Sequence, residues 1–205
     1  MTYTLGIDIG STSSDVAILQ NGTDIVSKIV VELGTGTVGP EQAYQAALDA
    51  VGLSREDIAY TVATGYGRMG WEGADAEASE LTCHGLGVHF LCPEARTVID
   101  IGGQDAKALR IGPNGELQNF VMNDKCAAGT GRFLDVMAMV LNLKVGELGV
   151  VSRRAAAPAT ISNTCTVFAE SEVISKLSAH VPLEDIVAGI HQSVAARVGG
   201  MNLRV

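Results

Sequence analysis

The stretch T-L-G-I-D-I-G at residues 4–10 returns as T-V-I-D-I-G-G at residues 97–103, so that Asp8 and Asp100 correspond at an offset of 92. Each copy is an apolar run that ends in aspartate and then glycine, the pattern of a strand entering a tight turn. The sequence downstream matches as well. D-V-A-I-L-Q, an Asn21-Gly22 turn and I-V-S-K-I-V-V-E-L follow the first copy; A-K-A-L-R-I, a G-P-N-G turn at 112–115 and L-Q-N-F-V-M follow the second. Two β-runs around such a turn predict a hairpin. Helical spacing comes next in both halves, around residues 40–52 and 130–142. The chain therefore reads as an α/β protein of two similar β-β-β-α units, residues 1–95 and 96–205, joined near C-P-E-A-R at 92–96.

Apolar spacing places several helix faces. Ala43, Ala46, Ala47 and Ala50 predict a narrow one; Phe133, Val136, Met137, Val140 and Leu141 a second; Leu183, Ile186, Val187, Ile190 and Val194 a third. Pro40 and Pro182 fall at helix starts. The longest linker-like stretch is R-R-A-A-A-P at 153–158.

At 205 residues and 47% hydrophobic, the chain is long and apolar enough to bury a full core. Its 14 Lys plus Arg against 23 Asp plus Glu give a net charge of -9, which disfavours nucleic acid or an anionic membrane surface as partner. No run of about 18 apolar residues occurs, and the start M-T-Y-T-L-G-I-D-I-G lacks signal-peptide character. A cytoplasmic location is the default expectation. In that compartment four cysteines, at 83, 92, 126 and 165, read as thiols, metal ligands or redox groups rather than a disulfide scaffold.

A strand that ends in Asp and passes into Gly and small hydroxyl residues lets backbone N–H groups approach phosphate oxygens, with the hydroxyls as further donors. Gly10, Ser11, Thr12, Ser13 and Ser14 in the first copy, and Gly102, Gly103 and Gln104 in the second, are the candidate phosphate-binding residues. Asp8 and Asp100 are candidates to hold a hydrated magnesium ion between the two lobes. Gln104 and Asp105 are candidates to orient an attacking water or the magnesium shell, which completes a catalytic set of Asp8, Asp100, Gln104 and Asp105. One such segment alone reads equally well as a glycine turn in a hairpin. The second copy, in the matching place, favours phosphate. Lys107 and Lys125 are candidates to meet negative charge, with an ordinary surface lysine as the alternative.

Cys126 and Cys165 sit in N-D-K-C-A-A-G-T-G-R-F and I-S-N-T-C-T-V-F-A-E-S-E, each just before a helical pattern. Two thiolates from one chain cannot complete a four-cysteine iron-sulfur site, but two copies of the chain can. Buried, inert thiols are the alternative. The positive ends of the following helices would then face a cluster. Gly129 and Gly131, between Cys126 and its helix, would let one loop touch both nucleotide and cluster. Cys83, on a helical pattern with Leu81 and Leu86, and Cys92, in the join, read as structural. So do His84, His89, His180 and His191, which lack ligand spacing. Glu170 and Glu172 read as helix-cap electrostatics after Cys165.

The two phosphate segments resemble those of the ATPase superfamily that includes actin, the heat-shock chaperones and the sugar kinases. Longer strings are more specific: T-G-Y-G-R, S-E-L-T-C-H, V-I-D-I-G-G-Q-D-A-K, M-N-D-K-C-A-A-G-T-G-R-F-L-D-V-M-A and S-N-T-C-T-V-F-A-E-S-E-V-I-S-K-L. From about Thr4 to Arg204 they are similar to the ATP-dependent activators of 2-hydroxyacyl-CoA dehydratases and the related ATPase subunits of benzoyl-CoA reductase. The resemblance implies two ribonuclease H-like (actin-like ATPase) subdomains related by internal duplication. It implies a homodimer with one 4Fe-4S cluster at the subunit interface, ligated by Cys126 and Cys165 of each subunit, and ATP, ADP and Mg2+ as further cofactors. It also implies an activity: ATP hydrolysis drives an electron from a ferredoxin or flavodoxin, through the cluster, onto the dehydratase component. Family members continue past I-H-Q-S-V-A-A-R-V into a strand, a Gly-Gly turn that holds adenosine, and a final helix; this chain stops at Val205, so the second subdomain reads as C-terminally truncated. Two other functions fit parts of the pattern. A sugar-kinase-like phosphotransferase would leave both cysteine segments unexplained, and a non-catalytic nucleotide-binding remnant would bind without turnover.

Overall fold

A computed structural model describes residues 1–123, 125–162 and 165–205; Asp124, Asn163 and Thr164, all in the two cysteine segments, lie outside the described residues. Strands β1 (Tyr3–Ile9), β2 (Ser14–Gln20) and β3 (Asp24–Val31) form an antiparallel meander. Asn21 and Gly22 make its second turn at φ 54° and 80°, the left-handed pair that the sequence signal predicts. Helix α1 (Gly39–Asp49) carries the chain to β4 (Ile58–Thr64), which pairs parallel with β1. The short β5 (Ala76–Glu77) completes a five-stranded sheet of order β3-β2-β1-β4-β5, and helix α2 (Glu80–Leu91) follows.

Helix α1 covers the sheet face that carries Leu5, Ile7 and Ile9 of β1 and Val16 and Ile18 of β2, the alternate positions of each strand. The helix face differs from the predicted one. Ala43 and Ala47 are buried as expected, but Ala46 is half-buried and Ala50 exposed, and Tyr44 and Leu48 take their places. Turning these two larger side chains inward removes far more apolar area from water than two further alanines would.

The second meander consists of β6 (Thr97–Ile101), β7 (Ala106–Ile111) and β8 (Leu117–Asn123), antiparallel throughout. Helices α3 (Gly131–Val140), α4 (Val145–Ser152), α5 (Thr166–Ser178) and α6 (Leu183–Asn202) follow it. Their shared core is built on Phe133, Met137, Leu148, Val173, Ile186 and Ile190, each at most 1% exposed. This matches the predicted stripes, with Val136, Val140, Leu183 and Val194 packed at the edge of that core. The C-terminal part of α6 lies on β7, where Met201 meets Ala106 and Ala108.

The chain divides into two compact units, Met1–Gly87 and Val88–Val205, each with a core of its own. The division falls inside α2, upstream of the Cys92–Arg96 stretch. Among the described residues no helix is long and apolar enough to cross a membrane.

Candidate functional site

In the first unit β1 runs into a turn closed by the Gly10 N–H donating to the Ser13 carbonyl at 2.9 Å. The N–H groups of Ser11, Thr12 and Ser13 take no part in that bond. Ser11 and Thr12 make no side-chain hydrogen bond among the described residues, while Ser13 Oγ donates to Asp15 Oδ2 at 2.9 Å. Ser14 differs from its neighbours: its hydroxyl is fully buried and donates to the Leu33 carbonyl at 2.8 Å, where it ties the turn to the end of β3.

Two distant segments pack against this turn with no room for side chains. A Cβ on Gly34 would lie 2.4 Å from the Ser11 carbonyl, and one on Gly65 would lie 2.2 Å from Asp8 Oδ1. Gly65 also sits at φ 82°, and Gly67 donates its N–H to the Ile9 carbonyl at 2.9 Å. Gly65 and Gly67 explain the string T-G-Y-G-R: it is a loop wrapped around the strand end that carries Asp8. Beside it a cavity of about 420 Å³ is lined by Ile9, Thr35, Thr37, Glu41, Gly67 and Trp71 among others. Sequence reading passed over Gly34 and gave Gly65 no role beyond its place in T-G-Y-G-R, because their partners lie tens of residues away.

The second unit repeats the bond that closes the turn. Gly102 N–H donates to the Asp105 carbonyl at 2.9 Å, as Gly10 does to Ser13. Asp100 pairs across the hairpin with Lys107, as Asp8 pairs with Asp15. Lys107 is not the surface lysine that the sequence left open. Its side chain is 3% exposed, and Nζ donates to Asp100 Oδ2 at 3.1 Å and to Asp105 Oδ1 at 2.9 Å. Burial opposes the charge on Lys107, but the hydrogen bonds and charges of Asp105 and Asp100 outweigh it and hold the ammonium well above the ordinary lysine range. Asp105 is itself 4% exposed, with Oδ1 where a Cβ on Gly102 would come within 2.5 Å. Gln104 is exposed at the tip of the turn, and the Asp100 side chain is 24% exposed.

The Cys126 segment is fastened to this turn. Gly131 and Arg132, the first residues of α3, donate their N–H groups to the carbonyls of Gly102 and Gly103, both at 2.9 Å. A Cβ on Gly131 would crowd the Gly102 carbonyl at 3.3 Å, while Gly129 turns at φ 86° against the Arg197 side chain. At the other end Asn123 Nδ2 donates to the carbonyls of Cys126 and Ala128 at 2.8 and 3.0 Å. The two cysteines are therefore placed differently from what their matching segments suggested. Cys165 is the N-cap of α5, but Cys126 lies five residues before α3, whose leading N–H groups point at the Gly102–Asp105 turn.

Glu172 has a more specific role than helix-cap electrostatics. Its Oε2 accepts the Ser162 N–H at 2.7 Å, and Ser193 Oγ donates to the Ser162 carbonyl at 3.1 Å, so both polar groups of one peptide position are held shortly before Cys165. Cys126 and Cys165 are both half-buried free thiols, as are Cys83 and Cys92. Among the described residues no three His, Cys, Asp or Glu side chains of this chain gather into a metal site.

The profile of the BadF/BadG/BcrA/BcrD ATPase family matches residues 5–205. The chain belongs to this family. The BadF/BadG/BcrA/BcrD relatives include the 2-hydroxyisocaproyl-CoA dehydratase activator of Clostridioides difficile, 57% identical over 203 residues that cover 99% of this chain and 76% of that protein. Its structure with bound ADPNP gives a TM-score of 0.94. Component A of (R)-2-hydroxyglutaryl-CoA dehydratase from Acidaminococcus fermentans is 54% identical and gives a TM-score of 0.96, covering 100% of this chain and 79% of that one. A ROK family glucokinase from Streptomyces griseus shares the fold alone, at 15% identity and a TM-score of 0.52 over 98% of this chain and 78% of its own. The chain is thus an ATPase-family protein whose structural neighbours are ATPases and sugar kinases of mixed α/β fold.

Proposed function

We propose that this ATPase activates a 2-hydroxyacyl-CoA dehydratase by coupling ATP hydrolysis to the delivery of single electrons from a 4Fe-4S cluster shared by two copies of the chain. The observation that carries the reading is the pair of bonds from the Gly131 and Arg132 N–H groups to the Gly102 and Gly103 carbonyls. They make the phosphate turn and the Cys126 segment one hydrogen-bonded body within the second unit, so a change at one is felt at the other. The high identity to proteins named as dehydratase activators supplies the substrate class of the partner. The matching turns of the two units support an internally duplicated actin-like ATPase.

In this reading the backbone of Gly10, Ser11, Thr12 and Ser13, with the hydroxyls of Ser11 and Thr12, meets phosphate in the first unit. Gly102, Gly103 and Gln104 do so in the second. Ser14 holds the first turn in shape. Asp8 and Asp100 are carboxylates at strand ends, and the partial exposure of Asp100 fits a hard cation approached through its waters. Gln104, exposed at the turn, orients the attacking water.

Cys126 and Cys165 are half of a four-thiolate set, and free half-buried thiols are the donor type a 4Fe-4S cluster takes. A second copy supplies the other half. Val167 and Phe168, 67% and 65% exposed in the first turn of α5 beside Cys165, suit burial against that copy. When bound, the cluster supplies a carrier for one electron at a time, received from a ferredoxin or flavodoxin. The chain's own part is to hold the two thiols, through the Asn123 and Glu172 clamps, on segments that respond to the nucleotide.

Anaerobic purification with iron and sulfide analysis tests this reading, with Cys126→Ser and Cys165→Ser beside the parent. About four irons per dimer are expected in the parent, as a four-cysteine cluster requires. Neither variant should keep the full complement. A variant that keeps it removes that cysteine from the ligand set, and a cluster potential identical with ADP and with a non-hydrolysable ATP analogue removes the coupling.

A further inference from the structure

The two hairpins superimpose position by position in register, yet they carry opposite charges at one of those positions. Asp8 faces Asp15 across β1 and β2, whereas Asp100 faces Lys107 across β6 and β7. The residue two places before each partner differs in the complementary way. Ser13 donates to Asp15 in the first unit, and Asp105 accepts from Lys107 in the second. The same turn, with the same 2.9 Å closing bond, forms around either arrangement. A buried lysine is therefore not something this hairpin needs in order to fold. It answers to what the second turn has to do.

An ammonium group 3% exposed between two carboxylates does two things. It cancels one of their two charges, and it fixes the Asp100 side chain by a hydrogen bond directed at one oxygen. Without it, Asp100 and Asp105 would form a pair of carboxylates within reach of a single point. Paired carboxylate oxygens of that kind take a divalent cation directly, in place of its water.

We propose that Lys107 is the positioning residue of the second phosphate turn: it pins Asp100 and blocks direct chelation of a divalent cation by Asp100 and Asp105, so that the metal enters only with the nucleotide. This rests on the reading of the turn as a MgATP site. Lys107, with Nζ bonded to both carboxylates, acts through the two aspartates.

The test uses the purified full chain and Mn2+ as probe, with free Mn2+ read by EPR in the absence of nucleotide, alongside MgATP turnover. Lys107→Met removes the charge at nearly constant length. This variant should bind Mn2+ at least ten-fold more tightly than the parent, and its MgATP turnover should fall at least ten-fold. Lys107→Arg restores a cation and should return Mn2+ affinity to within about two-fold of the parent. A folded Lys107→Met protein with parental Mn2+ affinity overturns the proposal, because a purely structural lysine would change stability and leave metal affinity alone. Where Lys107→Met does not fold, the double variant Lys107→Met with Asp105→Asn decides: it restores the parental net charge at the turn but leaves Asp100 unpinned. Parental Mn2+ affinity with turnover at least ten-fold below that of Asp105→Asn alone supports the proposal; turnover equal to that of Asp105→Asn overturns it. A parent that neither binds nor hydrolyses ATP defeats the proposed function instead, and the Mn2+ comparison still reads the role of Lys107.

Discussion

Gly65 and Ser14 both support the turn that follows β1, through contacts that only the folded chain brings together. Gly65→Ala meets two obstacles: a Cβ at φ 82°, and a Cβ 2.2 Å from Asp8 Oδ1. Backbone strain of this kind costs about 1–3 kcal/mol, and the clash displaces the carboxylate. Urea denaturation should report a loss in that range, and MgATP turnover per folded molecule should fall at least ten-fold. Ser14→Ala separates support from contact. Loss of its bond to the Leu33 carbonyl should cost about 1 kcal/mol in the same assay, while the KM for ATP stays within two-fold of the parent. A large rise in KM would return Ser14 to the phosphate contacts. The Asp100 to Lys107 pair was open to sequence reading in principle, since a tight turn after D-I-G-G-Q-D fixes which residues face each other across the hairpin. The burial of Lys107 was not, because the sequence alone does not show that β7 is covered on both faces.

At the scale of elements, the hairpins and the long helices were legible because local chemistry specifies them. An Asn-Gly pair with alternating neighbours, and apolar residues at helical spacing, say the same thing at several positions. Strand β5 and the clamps before the cysteines were not legible, since two residues of strand carry no period and a hydrogen bond from Glu172 to Ser162 has no sequence signature. That clamp has a consequence of its own. Glu172→Ala leaves the Ser162 N–H without its carboxylate, which should cost about 1–3 kcal/mol and loosen the approach to Cys165. After anaerobic reconstitution the variant should lose iron faster than the parent under a chelator; equal loss rates would separate Glu172 from the cluster. Helix α6 provides a pH dependence. Burial lowers the pKa of His191 below its ordinary 6.5, so the folded protein resists the proton that the unfolded chain accepts. The unfolded state then binds more protons, and stability falls as pH drops through and below that value. His191→Gln should lose less of its urea midpoint than the parent between about pH 7.5 and 5.5.

At the scale of the whole molecule, the division into two units, each with its own core, sets what nucleotide binding must accomplish. The sequence repeat predicts units of residues 1–95 and 96–205, because the same strand, turn and strand recur 92 residues apart; the chain divides instead between Gly87 and Val88. Two separate cores allow two separate unfolding events, which a single cooperative transition would conceal. A ligand that binds only the folded state stabilises it by about 2.7 kcal/mol at a hundred times its dissociation constant. If the turn of a unit meets the phosphates, that stabilisation falls on that unit. Scanning calorimetry of the parent should therefore resolve two transitions without nucleotide, and MgATP should raise the transition of each unit whose turn meets phosphate. Asp8→Asn in the first unit and Asp100→Asn in the second should each abolish the shift of its own unit's transition. A transition that MgATP leaves unmoved in the parent would remove that unit's turn from the phosphate contacts.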